Sequence, residues 1–113
     1  MNDVTNLYTA ALQTLGEALI KMTSPEWDAM LQQQTQEKRL EASRLMLRVQ
    51  HARLSLANAA LSEIATAMKA NEAALRRGIT RLEKTLDAFS NFESVMRAVA
   101  AVVSTVGKIV ALV

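Results

Sequence analysis

Apolar residues fall into helical stripes along almost the whole chain. Leu7, Ala11, Leu12, Leu15, Ala18, Leu19 and Met22 recur at spacings of one, three and four, the one-sided pattern of an amphipathic helix. The stripe predicts a first helix over about residues 4–22, roughly 30 Å long at the α-helical rise, with Asp3 available as its N-cap. Thr23-Ser24-Pro25-Glu26 then ends it. Ser24 suits the cap of a following helix, Pro25 its first position, where no N–H is needed, and Glu26 and Asp28 its positive end.

Beyond Pro25 one position stays large and apolar every seventh residue: Leu40, Leu47, Leu54, Leu61, Met68, Leu75, Leu82, Phe89, Met96, Val103 and Val110. A strict seven-residue period is the mark of helices packed along a seam. Three residues on, the companion positions are mixed: Ser43, Gln50, Ala57, Ile64, Asn71, Gly78, Thr85, Phe92, Val99, Val106 and Val113. That makes a poor two-stranded zipper and a better bundle, its apolar face widened by Leu56, Ile79 and Leu86.

The expected fold is therefore all-α, one domain over residues 1–113: a helical hairpin or bundle with a long coiled-coil-like helical region over about 25–90 and an apolar C-terminal helix over about 91–113. Two architectures fit. In one, the second helix is very long; in the other, three or four helices fold up, with turns at Asn71-Glu72 and at Ser90, where Ser90-x-x-Glu93 matches a capping box. The expected core comprises Leu12, Leu15, Leu19, Leu47, Leu54, Leu61, Ile64, Met68, Leu75, Leu82, Leu86, Phe89, Met96, Val99 and Val103.

Composition supports helices over strands. Three glycines and one proline in 113 residues are too few turn signals for an all-β chain. Half the residues are hydrophobic and 21% charged, enough apolar surface to fold. The absence of cysteine removes disulfides, thiolate nucleophiles and cysteine-ligated metals. No basic segment precedes an apolar run at the N-terminus, so no Sec signal peptide is expected, leaving a cytoplasmic or membrane-associated location as the expectation.

Candidate chemistry is sparse. His51 is the sole histidine, no carboxylate lies at a neighbouring helical position, and no glycine-rich phosphate loop or HExxH pattern occurs. The expectation is a protein that is not an enzyme and uses neither metal nor cofactor. Arg44, Arg48 and His51 share one helix face within a basic stretch; such a face can meet anions, although a solvated surface is the commoner reading. Net charge is +2 and stacking aromatics are missing beside the stretch, so nucleic acid is disfavoured.

The C-terminal segment has two readings. Wound as a helix, residues 95–113 gather Arg97, Ser104, Thr105 and Lys108 in one polar strip and leave Met96, Val99, Val103, Val106 and Val110 on the apolar remainder. Burial in a bundle or oligomer is the first; insertion at a membrane, or a pore built from several copies, is the second. The charge-free run Ala98 to Gly107 is too short to span a bilayer, which takes about 20 residues. Valine richness also admits a hairpin pairing Val99–Val103 with Ile109–Val113.

Helix 1 is apolar along its length, whereas the next helix opens with only Trp27, Met30 and Leu31 before the polar run Gln32 to Arg39. Part of helix 1 thus lacks a partner within a simple hairpin. That surplus and the apolar C-terminus lead to an expected association protein, a homo-oligomer or the binder of a helical partner, with a membrane surface as the alternative.

Overall fold

A computed structural model describes residues 3–110 as six helices, with no strand among them. They are α1 (Asp3–Lys21), α2 (Pro25–Gln32), α3 (Gln36–Asn58), α4 (Leu61–Ala70), α5 (Glu72–Ala88) and α6 (Phe92–Gly107). The bundle is the one the pattern predicts. A continuous second helix is not: the chain also breaks at Gln33–Thr35 and at Ala59–Ala60. Each break has a local reason or a tertiary one. At the first, the Thr35 hydroxyl accepts from the Lys38 N–H at 3.2 Å and caps α3. The second holds only alanines and no side-chain cap, so burial on both sides, Leu56 before it and Ile64 after it, overrides a strong local preference for helix.

The remaining boundaries follow side-chain chemistry. Ser24 caps α2 through its hydroxyl, which accepts from the Trp27 N–H at 3.2 Å, and Pro25 takes the first helical position. The turn at Asn71 is present, with the Asn71 amide donating to the Ala67 carbonyl at 2.8 Å. At the next turn the capping residue is Asn91 rather than Ser90: its side-chain oxygen accepts from the Ser94 N–H at 2.9 Å. Glu93 is therefore free of the capping box and pairs with Lys38 on α3. It does not pair with Arg97.

Four long helices form a ring in the order α1, α3, α6, α5, each packed on its two neighbours, so α3 and α5 occupy opposite corners. The ring closes through identifiable contacts. Tyr8 on α1 donates to the Leu56 carbonyl near the end of α3 at 3.0 Å. Gly78 on α5 leaves room for Val102 of α6, whose methyl would lie 3.3 Å from an added Cβ. One end is plugged by α2, where Trp27 stacks on Phe92 at 5.1 Å and tilts against Phe89 at 6.0 Å. The other end is covered by α4, which packs on α1 and α5 through Ile64 and Met68.

Phe89 ends α5 with φ 39°, the sole positive φ among the described non-glycine residues. A bulky residue there is strained, and glycine is the usual occupant. The ring offsets this by its contact with Trp27 and by lying under the Lys21 ammonium at 5.2 Å.

Helix α6 is the most enclosed element: Val95, Ala98, Val99, Val102, Val103 and Val106 are fully buried. The valine hairpin does not form across the described part, since Val99–Val103 is helical; residues 111–113 lie outside the described residues. The α1 stripe is covered as well, by α3, α4 and α5. Over the described residues, both apolar surpluses on which association is expected from sequence thus pack within the chain, Leu12 and Leu19 only in part.

A third surplus is not covered. In α3 the buried residues are Ala42, Leu45, Val49, Ala52 and Leu56, at spacings of three and four. Leu40, Leu47 and Leu54, the first members of the seven-residue series, lie on the opposite side of that helix, 50%, 65% and 58% exposed. The expected core positions Leu47 and Leu54 are therefore corrected to surface positions. The break at Ala59–Ala60 explains the change: beyond it the same series turns inward, and Met68, Leu75, Leu82 and Val103 are buried completely.

Candidate functional site

The exposed leucine row runs from Leu40 to Leu54, about 21 Å at the α-helical rise. It is one residue wide, because the next positions around the helix are Ser43, Gln50 and Ala57. Broad apolar faces belong to core-facing helices, and a narrow row with a seven-residue period belongs to helix-on-helix seams.

Cations flank it. Arg44 and His51 follow leucines by four residues, and Arg39, Met46 and Arg53 precede them by one; no carboxylate occupies these positions. Two of the arginines are committed. Arg53 donates through Nε to the Leu12 carbonyl at 3.2 Å, and its guanidinium crosses α1 at Gly16, where a Cβ would meet it at 3.2 Å. Arg39 donates to the Gln34 carbonyl at 3.2 Å. Arg44 and His51 are exposed with no hydrogen-bond or ion-pair partner among the described residues. Arg48 is exposed too, on the side of α3 facing α6, where it lines a shallow groove with Arg44, Arg97, Met96, Glu41 and Glu93.

The three residues of the basic face thus share a surface, as their spacing predicts. What spacing alone misses is that this surface borders the exposed leucines. The ion pair of Lys38 with Glu93 ties the start of α3 to the start of α6. Its hydrogen bond and the Glu93 charge hold the Lys38 ammonium above its ordinary value of 10.5. Lys38 is therefore charged at neutral pH, and its part in the pair is lost as pH rises through that raised value.

The C-terminal candidates divide as an amphipathic helix should. Val99, Val103, Val106 and Val110 are buried and Met96 half-buried, while Arg97, Ser104 and Lys108 are exposed. Thr105 is half-buried and donates to the Ala101 carbonyl at 3.0 Å. Among the described residues no helix is long and apolar enough to cross a membrane.

On the far side of the ring, α1 and α5 border a second groove of about 490 Å³, lined by Glu17, Ile20, Lys21, Glu83, Leu86 and Asp87. Ile20 stands 70% exposed at its edge and Leu86 is buried. None of the three carboxylates has an ion-pair partner among the described residues.

The fold and these surfaces define an all-α bundle with an outward leucine row on one corner. Comparison of the chain with protein-family models, with curated proteins and with solved structures returns no match.

Proposed function

We propose that this protein is a non-catalytic helical association module that assembles into an oligomer, with the outward face of α3 as its docking surface. The observation that carries this reading is the row Leu40, Leu47 and Leu54, each at least half exposed although the rest of the bundle buries its large aliphatic residues well, Ile20 apart. Covering a leucine side chain is worth about 1.5–3 kcal/mol, so three in register favour a partner that packs along the helix. The period and narrowness of the row suit another helix better than a lipid surface, which rewards a broad apolar face.

The membrane-active alternative rests on residues 95–113, and their described apolar positions are already occupied in the core. Freeing them would dismantle the ring. It gains nothing from α6 as folded.

Sedimentation velocity tests the proposal. The wild-type chain should sediment faster as concentration rises, whereas Leu47→Ser with Leu54→Ser should stay at the monomer value with a melting temperature no lower than that of the parent. Equal concentration dependence in both proteins would reject the docking role of α3.

A further inference from the structure

The flanks of the leucine row restrict what can lie on it. If two copies paired row to row, flanking positions would face flanking positions in either relative direction, and those positions carry Arg39, Arg44 and His51 with Glu37 as the one acid, while Arg53 is held against α1. Like charges brought together across a seam oppose pairing. With arginines outnumbering acids on these flanks, the better-matched occupant brings carboxylates around an apolar contact.

The groove between α1 and α5 has that chemistry. Ile20 supplies the exposed apolar contact above the buried Leu86, and Glu17, Glu83 and Asp87 supply three carboxylates without ion-pair partners among the described residues. The single cation lining it, Lys21, lies over the Phe89 ring at 5.2 Å. Ile20 is also the one large apolar residue, outside α3, that stands mostly exposed among the described residues. The chain therefore displays two apolar patches of opposite charge.

Their placement prevents one copy from satisfying itself. The leucine row lies on the side of α3 turned away from its ring neighbours, and α5 is at the opposite corner from α3. We infer that the α3 leucine row of one copy docks head to tail into the α1–α5 groove of a second copy. Leucines meet Ile20, and Arg44, with Arg48 and His51 beside it, faces Glu17, Glu83 and Asp87. Such a contact joins two different surfaces, so each added copy leaves one row and one groove free, and the assembly grows as a filament or closes as a ring.

This inference rests on the docking role of α3 proposed above and adds the identity of the receiving surface. Its test uses two full-length variants, each damaged on one surface only. Leu47→Glu spoils the row, with Leu47→Ser as a milder companion if the charged variant folds poorly; Glu83→Lys with Asp87→Lys inverts the groove. All altered positions are exposed, and circular dichroism checks that helix content is kept.

By light scattering, wild type should exceed the monomer mass and shift toward it in high salt, as contacts between exposed charges are screened. Each variant alone should associate at least about tenfold more weakly, the equivalent of ~1.4 kcal/mol. Mixed in equal amounts, the two variants retain one intact row and one intact groove between them, and should reach twice the monomer mass and stop. A groove variant that self-associates like wild type would overturn the inference and leave the role of α3 standing. A row variant that does so would overturn both. A monomeric wild type, or a mixture that stays monomeric, would overturn the head-to-tail contact.

Discussion

Val102→Asp is expected to abolish the cooperative unfolding transition at neutral pH, or to lower stability by at least about 4 kcal/mol, as read from urea denaturation followed by circular dichroism. Val102 is fully buried on α6 and its methyl sits in the space that Gly78 leaves open on α5. A carboxylate there would lose its hydration in the midst of valines. Total stabilities of such domains are only about 5–15 kcal/mol, so one uncompensated charge consumes much of the margin. The sign of the pH dependence follows. A buried carboxyl titrates higher in the folded state than in the unfolded chain, so the loss should be smaller at acid pH, where the group is neutral, and grow as pH rises. Ser104→Asp, two residues away on the exposed side of the same helix, should change stability by no more than about 0.5 kcal/mol. Similar losses for the two substitutions would contradict the placement of α6.

The second large effect is expected at Trp27. Replacing it with alanine should cost about 3–5 kcal/mol. The side chain is buried, stacks on Phe92 and tilts against Phe89, and α2 has only eight residues, too few to be stable without tertiary contacts. Its removal also withdraws the contact that offsets the strained backbone at Phe89. Trp27→Phe keeps part of the stack and should lose distinctly less. Urea midpoints measured by circular dichroism separate the two, because fluorescence loses its sole tryptophan.

Much of this architecture is legible in the residues, and the places where it is not share a cause. Ser24-Pro25 reads correctly because a hydroxyl cap and a proline act locally, on hydrogen bonds within one turn. Asn71-Glu72 leaves a break or a continuous helix equally open in the residues, and in the structure Asn71 makes no side-chain cap bond to α5 but donates back to the Ala67 carbonyl at the end of α4. Helix α6 reads as a buried helix because its polar residues form one strip and its apolar residues occupy the rest. Ala59–Ala60 is the opposite case. Two alanines carry no signal for a break, and the unbroken seven-residue series runs straight through them. Period alone says that Leu40, Leu47 and Leu54 share a face with one another, and nothing about which face the rest of the chain will cover. Their position outside the core is settled by Ala42, Leu45, Val49, Ala52 and Leu56, which win the inner side of α3 although two of them are alanines.

The candidate surface was legible in halves. The spacing of Arg44, Arg48 and His51 puts them together on an outer face, where they lie. The leucines beside them read as core, so the combination of apolar row and cationic border could not be seen. Glu17, Ile20, Glu83 and Asp87 gave no sequence signal at all, because they belong to two helices whose pairing is not local. Phe89 at positive φ is a further silent position, since aromatic residues at a helix end carry no cap signature.

The central claim is that the outward side of α3 is covered when copies meet. The absence of cysteine allows single reporters to be placed at will, and His51→Cys sits at the border of the leucine row. Its rate of modification by a bulky thiol reagent should fall as protein concentration rises, while that of Ser62→Cys, exposed on α4, stays constant. Two rates that remain unchanged across the whole concentration range would contradict it.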